Sequence, residues 1–355
     1  MKEIACFISP HGYGHATRAI AVLESLKKLE PNLRIHIFTT VPRTLFTESL
    51  AGFTYHPVQT DVGLVQSSAL VSDIPATLQR LEECIPYPRP LIDRLASLCS
   101  ECSLILCDIA PLGITIAKKL GIPSVLVENF TWDWIYHSYC TKYPQLKRFE
   151  DFFRQLFERV DYHIQTEPLC RPSPNEFSCG PIFRQKRGTE GVIRRQLGCA
   201  DKKLILITMG GVFEKFKELT PLDGTDDHLF VYSGQDEHRL VNKNTMLLDR
   251  RGDIYHPDLV GAADLVVCKA GYSTVAECFQ AGVRVICVGR SDFAESAPLM
   301  NYVTSRLDGV AISQQCYENG EWLSLVPQLL RGKKPEPAGE NGADRVGKFL
   351  YTLLH

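Results

Sequence analysis

Two histidines, His11 and His15, stand four residues apart in the stretch Pro10-His11-Gly12-Tyr13-Gly14-His15-Ala16-Thr17-Arg18. Imidazole is the side chain best suited to moving a proton near neutral pH. Gly12 and Gly14 alternate with the histidines, and glycine lets a backbone approach a bound group closely. The apolar run Ile4-Ala5-Cys6-Phe7-Ile8 lies just before, and Ala16, Ala19, Ile20, Leu23, Leu26 and Leu29 follow at helical spacing. This order predicts a strand, a glycine-rich turn and a first helix. A helix N-terminus offers unpaired N–H donors to an anion. The plain alternative is an ordinary strand-to-helix turn with two surface histidines.

A second chemistry-bearing run is Ala263-Asp264-Leu265-Val266-Val267-Cys268-Lys269-Ala270-Gly271-Tyr272-Ser273-Thr274-Val275-Ala276-Glu277. A buried strand ends at Lys269, Gly271 permits a tight turn, and Ser273 or Thr274 can cap the next helix. Glu277 falls about one helical turn further on. Hydroxyls and amides there can hold phosphate while the carboxylate accepts from a ribose diol, as in dinucleotide folds. The same residues also make a plain capping arrangement, and the pattern leaves both readings open. Upstream, Leu204–Thr208 leads into Met209-Gly210-Gly211-Val212, a second strand-to-glycine turn whose N–H groups suit a diphosphate.

The elements that must position these residues alternate throughout. Apolar strand candidates recur at Ile35–Thr39, Leu104–Cys107, Ser124–Val127 and Tyr162–Gln165. They return at Leu204–Thr208, Leu229–Ser233, Leu265–Cys268, Val285–Val288 and Val310–Ile312. Short continuous runs of this kind suit parallel strands buried on both faces, and helical stretches such as Gly113–Leu120 separate them. The alternation predicts doubly wound α/β sheets. The proline-rich stretch Glu167–Gly188 breaks the rhythm and reads as a connection. The expected organisation is an N-terminal Rossmann-like domain over 1–170, a linker over 171–188 and a C-terminal Rossmann-like domain over 189–340. A last helix over 341–355 is a candidate to pack back on the N-terminal domain. Two facing halves would leave an interdomain cleft at the carboxyl ends of both sheets, where open α/β sheets bind ligands.

Phe149, Phe152, Phe153 and Phe157 have helical spacing and read as packing. Asp61–Asp73 reads either as a mobile acceptor loop or as a plain connection. Composition bounds the function classes. The chain has 355 residues, more than one core usually holds, with 45% hydrophobic and 23% charged residues. A formal net charge of −2 gives no footprint for nucleic acid or an anionic membrane. No run approaches the length that spans a bilayer, and no cleavable leader pattern opens the chain. Thirteen cysteines scattered in apolar runs suit reduced thiols, and the expected location is cytoplasmic. Cys99 and Cys102 form one C-x-x-C without a second pair, so no metal site is expected.

The run Ala263–Glu277 resembles the donor-binding motif of GT-B glycosyltransferases, chiefly the bacterial peptidoglycan N-acetylglucosaminyltransferase and its galactolipid-synthase relatives. The resemblance implies that Glu277 binds the nucleotide ribose and that Gly271, Ser273 and Thr274 contact the diphosphate. Gly210 and Gly211 match the glycine turn of that family's C-terminal domain, and Gly14-His15 matches its N-terminal Gly-His. In the similar UDP-glycosyltransferases the histidine matching His15 is a general base, oriented by an aspartate at the end of a strand. Asp108 stands where that match requires an acid; from the residues alone it can equally cap the next helix.

His11-Gly12-Tyr13-Gly14-His15-Ala16-Thr17-Arg18 and Asn129-Phe130-Thr131-Trp132-Asp133-Trp134-Ile135-Tyr136 resemble the glycosyltransferase-like domain of plant L-arabinokinases and its stand-alone bacterial relatives. The chain departs from the donor pattern at Pro298, where many relatives carry a glutamine three residues before the asparagine matching Asn301. It also departs in Gly289–Pro298. Ile254-Tyr255-His256 occupies the place of the nucleobase clamp.

The resemblance implies metal-independent, inverting transfer from a nucleoside-diphosphate sugar, with UDP as the expected nucleotide, to a hydroxyl acceptor. No cofactor is implied beyond the donor substrate. His15 and Asp108 are the catalytic candidates. Gly12, Gly14, Gly210, Gly211, Tyr255, Gly271, Ser273, Thr274 and Glu277 are nucleotide-sugar candidates; His11, Trp132 and Asn301 are acceptor or sugar candidates, and Phe130, Trp132, Trp134 and Tyr136 read either as an acceptor-side wall or as core packing. A nucleotide-sugar sensor without chemistry and a nucleotide-sugar epimerase are the alternatives.

Overall fold

The computed structural model describes residues 2–174, 176–210, 227–249, 252, 254–337 and 339–355. The chain divides into two compact units, Met1–Val65, Ser72–Phe183 and Glu340–His355 in one, Gln66–Val71 and Arg184–Gly339 in the other. In chain order the strands are β1 (Glu3–Ile8), β2 (Arg34–Thr39), β3 (Phe53–Pro57), β4 (Gln66–Ser68), β5 (Val71–Ser72), β6 (Leu104–Asp108), β7 (Ser124–Glu128), β8 (Tyr162–Thr166) and β9 (Phe177–Cys179). They continue with β10 (Lys203–Thr208), β11 (His228–Gln235), β12 (Arg239–Asn242), β13 (Thr245–Asp249), β14 (Leu265–Lys269), β15 (Arg284–Val288) and β16 (Val310–Ile312).

The first sheet runs β3-β2-β1-β6-β7-β8-β9, every neighbour parallel. Its central strands are buried along their whole apolar length, as parallel strands covered on both faces must be. Strand order reverses between β1 and β6, which makes their carboxyl ends a topological switch point. The second sheet runs β12-β13-β11-β10-β14-β15-β16, parallel except for β12 against β13. Its switch point lies between β10 and β14. The glycine turns read from the sequence therefore follow the strands at which each sheet reverses.

Strands β3, β4, β5, β12 and β13 add to those read from the sequence. The stretch read as an irregular connection contributes β9, a three-residue edge strand too short to show a pattern. The stretch Asp61–Asp73, read as a mobile loop or a connection, contains β4 and β5, and its Gly63 carbonyl accepts from Tyr136 Oη at 2.8 Å; just before it, Thr60 Oγ1 donates to the Ile8 carbonyl at 2.7 Å. Helix Gly342–Leu354 lies in the first unit against helix Gly14–Leu29. Val346, Leu350 and Leu354 share a core with Ile20, Leu23 and Leu26. The approach is close, since a Cβ on Gly347 would stand 2.7 Å from Ser25 Oγ. Phe149, Phe153 and Phe157 are buried, matching their packing role, with Phe152 half-buried.

Asp61, only 2% exposed, is the costly group of this unit. Burial pushes its carboxyl up to about 7, against the pull of the Ser9 hydroxyl (3.0 Å from Oδ1) and the Trp132 indole. Oδ2 and Trp132 Nε1 nonetheless make no hydrogen bond of normal geometry. An acid whose folded pKa is raised binds its proton more tightly in the folded state. The stability this contributes is complete below about pH 4 and is lost as pH rises through 7. Asp61→Asn is therefore expected to match the parent near pH 4 and to exceed it at pH 8 by on the order of 2–4 kcal/mol. Urea unfolding midpoints at the two pH values measure this; a difference independent of pH would contradict it.

Candidate functional site

The turn after β1 places the histidines. Gly12 has φ +76°, a left-handed conformation, with open space where a Cβ would stand, so backbone freedom rather than room requires glycine there. The helix starts at Gly14. Its N-cap, Tyr13, supplies no side-chain bond, and the first turn carries no acidic residue. The first intrahelical acceptor serves Thr17 N–H, at 2.9 Å from the Tyr13 carbonyl, so the opening N–H groups find no acceptor inside the helix.

Asp108, the last residue of β6, stands beside Ile8 in the register. Its Oδ1 is 3.0 Å from His15 Nδ1, joining the two sequence candidates. The same carboxylate accepts from Arg18 through both oxygens, from Nη2 at 2.7 Å and Nε at 2.8 Å. Arg18 Nη1 donates to Asn129 Oδ1 at 2.6 Å, and Arg18 is 1% exposed. The capping alternative for Asp108 is overturned, because the next helix, Pro111–Leu120, has Ala110 at its N-cap. Ile109, between them, has φ +42°, a strained conformation for a β-branched residue and of the kind that gathers at functional sites.

Asp108 Oδ1 can only accept and Arg18 Nη2 can only donate, so a protonated His15 Nδ1 bonds to Asp108 at 3.0 Å and a bare one to Arg18 at 3.2 Å; the shorter contact favours the proton on Nδ1. This arrangement leaves the Nε2 lone pair as the basic atom. Burial pushes the His15 pKa down, contact with Asp108 opposes that, and Arg18 pushes it down further; the net position is below an ordinary imidazole. For Asp108, burial raises the pKa, but Arg18 and His15 outweigh it and hold the carboxyl below its usual range. The result is an ionised aspartate and a neutral imidazole at neutral pH.

The acceptor candidates fare differently. His11 is half-buried, with Nδ1 accepting from Leu64 N–H at 3.3 Å and its ring edge-on to Trp132 at 5.1 Å. Trp132 has no exposed surface. It packs beneath His11 and Phe130, so the expectation that it contacts acceptor or sugar is corrected to a supporting role. Asn301 lies exposed in the middle of helix Ser296–Arg306, where its carbonyl accepts from the Thr304 and Ser305 hydroxyls.

In the second unit Gly210 follows β10 with φ +73°, and a Cβ there would stand 3.4 Å from Lys269 Cε. Gly211 lies outside the described residues. Gly271 is the N-cap of helix Tyr272–Ala281, with φ −137°. That is extended backbone open to any residue, so the expected tight turn is not what glycine provides. The capping alternative for Ser273 and Thr274 is also overturned: both lie inside the helix, whose cap makes no side-chain bond. The first intrahelical bond is from Val275 N–H to the Gly271 carbonyl at 3.2 Å, so the N–H groups before it have no acceptor within the helix. The Lys269 side chain lies against both Gly210 and Gly271, adding a cation that the sequence reading left without a role.

Glu277, 2% exposed, accepts from Arg184 Nη2 at 3.0 Å and Nε at 3.2 Å on Oε1, and from His256 Nδ1 at 2.7 Å on Oε2. A carboxylate has about four acceptor positions, so roughly one remains for a ligand. Burial raises the Glu277 pKa, but Arg184 and His256 more than offset it, and the group stays ionised. Tyr255, half-buried at the N-cap of helix His256–Ala262, has the Arg184 guanidinium carbon 5.0 Å and that of Arg187 4.0 Å from its ring centre. Neither arginine is marked by any local pattern. Among the described residues no group of three or more His, Cys, Asp or Glu could hold a metal ion. No helix among them is long and apolar enough to cross a membrane.

No known family profile matches the chain. It is 27% identical over 360 residues to an L-arabinokinase of Arabidopsis thaliana, covering 98% of this chain and 34% of that protein. The chain thus spans about a third of the length of the curated relative it matches. Among solved structures it is similar to the glycotransferase of kitacinnamycin, with a TM-score of 0.61 and 14% identity over 99% of both chains. It is also similar to LpCGTa, solved in complex with UDP, with a TM-score of 0.59 and 15% identity over 99% of both chains. Two Rossmann-like units with these sheet orders, together with the similarity to such neighbours over the whole chain, show that the chain has the GT-B fold.

Proposed function

We propose that the chain is a glycosyltransferase that moves a sugar from a nucleoside-diphosphate sugar to a hydroxyl acceptor. The observation that carries this reading is the buried contact between His15 Nδ1 and Asp108 Oδ1, 3.0 Å long, at the switch point of the first sheet. It leaves Nε2 as a neutral base. In this reading Nε2 takes the acceptor's proton, the hydroxyl oxygen attacks the anomeric carbon, and the bond to the diphosphate breaks with its electron pair leaving on the phosphate oxygen. Attack opposite the leaving group inverts the anomeric centre.

The second unit holds the nucleotide in this reading. The first-turn N–H groups of helix Tyr272–Ala281 and the Lys269 cation meet the diphosphate charge, so no metal ion is required. Glu277 orders Arg184 and His256 and offers its remaining acceptor position to the ribose. UDP is favoured as the nucleotide because LpCGTa, a fold neighbour, was solved with it. A binding protein without chemistry is the second reading, favoured by the match to one third of a larger kinase.

Calorimetry with UDP-, GDP-, ADP- and dTDP-sugars, followed by product analysis, separates the two: binding with neither transfer nor hydrolysis supports the second. With an active donor, His15→Ala is expected to lower kcat/KM by ~10²–10⁴-fold while leaving donor affinity unchanged. A smaller loss in a folded variant would remove His15 from the base role. Glu277→Gln is expected to weaken binding of the matching nucleoside diphosphate, and unchanged affinity would count against the ribose contact.

A further inference from the structure

The sequence motif runs from Pro10 to Arg18, yet the proposed reaction uses only its His15. Its last residue is a charged side chain almost without exposed surface. A buried guanidinium persists when it is paired and hydrogen-bonded. Here Nε and Nη2 take both oxygens of Asp108, and Nη1 takes Asn129 Oδ1, which fixes the group from three directions. Arg18 and His15 are three residues apart on one helix and so share a face.

We propose that Arg18 is a positioning residue for His15: its guanidinium grips Asp108 by both oxygens and cancels the charge that would otherwise recruit a proton to the imidazole. The inference builds on the base role assigned to His15. In a plain His–Asp pair, a buried carboxylate favours the charged imidazolium. With Arg18 present, protonating His15 sets two cations against one carboxylate in a site with little water.

His15 is faced by Arg18 from its own helix and by Asp108 from β6. The Phe130 ring, just after β7, lies 5.7 Å away and carries no charge. Asn129 beside it is neutral. The Cys6 thiol on β1 and the Cys107 thiol on β6 are pushed up by burial and then by Asp108, and stay protonated. The Cys179 thiol on β9 feels the Arg18 charge, but burial pushes it up to about 11 and it stays protonated. Asp61, after β3, is pushed up to about 7 mainly by burial, with the Asp108 charge adding to the rise. Arg18 is thus the one cation in contact with the pair among the described residues.

The consequence is a base that stays proton-free into mildly acid conditions, and whose conjugate acid gives its proton up readily. The test is the titration of the His15 ring by NMR in the full-length chain, with the resonance assigned by comparison with His15→Gln. In the parent the midpoint is expected below the ordinary value near 6.5. Arg18→Met is expected to raise it by about one unit or more, a roughly tenfold gain in proton affinity. Arg18→Lys keeps the charge without the fork and is expected to stay within about half a unit of the parent.

An unmoved midpoint in a folded Arg18→Met chain overturns the proposal. If that variant does not fold, the parent and the Lys variant decide, and a parent midpoint at or above the ordinary value overturns it equally. The titration requires no substrate. A chain that transfers no sugar but shows the Arg18-dependent midpoint leaves this inference standing and removes the proposed reaction instead.

Discussion

The two-pronged bond between Arg18 and Asp108 is the contact on which the rest of the first unit's site depends. It joins the first helix to the end of β6 at the point where the sheet reverses, and it decides the charge seen by His15. Such a pair is poor evidence for stability, because removing two ions from water costs several kcal/mol before their attraction returns any of it. Its value lies in specification. A carboxylate held on both oxygens has one orientation, and the imidazole bonded to it has one tautomer. The strained Ile109 that follows Asp108, at φ +42°, shows the surrounding backbone holding this geometry against local preference.

The second unit applies a related logic to an anion. β10 and β14 flank its switch point; a left-handed glycine follows β10, and an uncapped helix follows β14. Lys269 adds a full charge to the partial charges of the helix end. Glu277 is the counterweight. Its ionised carboxylate organises Arg184 and His256 rather than standing open. Both units therefore place a buried carboxylate under an arginine near a glycine-bearing turn, once beside a base and once beside the seat proposed for a phosphate.

The architecture was legible because parallel strands buried on both faces leave unbroken Val/Ile/Leu runs, and each unit's switch-point strands were among the clearest. β9 and β3 escaped because a short edge strand needs no continuous apolar run. His15 and Asp108 could be paired only through a family resemblance, since 93 residues separate them and nothing in their spacing encodes contact. Arg18 was visible three residues beyond His15, but a charged residue in a helix's first turns usually faces water, and burial is the property a sequence does not print. Arg184 is another 93-residue partner, to Glu277, with no local signature. For Trp132 burial decides for the packing reading, because an aromatic cluster reads alike in sequence whether it lines a binding wall or supports one from beneath.

The central claim is that Asp108, held by Arg18, fixes the proton of His15 on Nδ1 and leaves Nε2 bare. The most direct measurement is the pair of ¹⁵N chemical shifts of the His15 ring at neutral pH in the full-length chain, labelled on both nitrogens. The account expects an N–H-type shift at Nδ1 and a lone-pair-type shift at Nε2. A proton found on Nε2, with Nδ1 bare and accepting from Arg18, would leave the ring without a basic atom to offer and would contradict the account at its root.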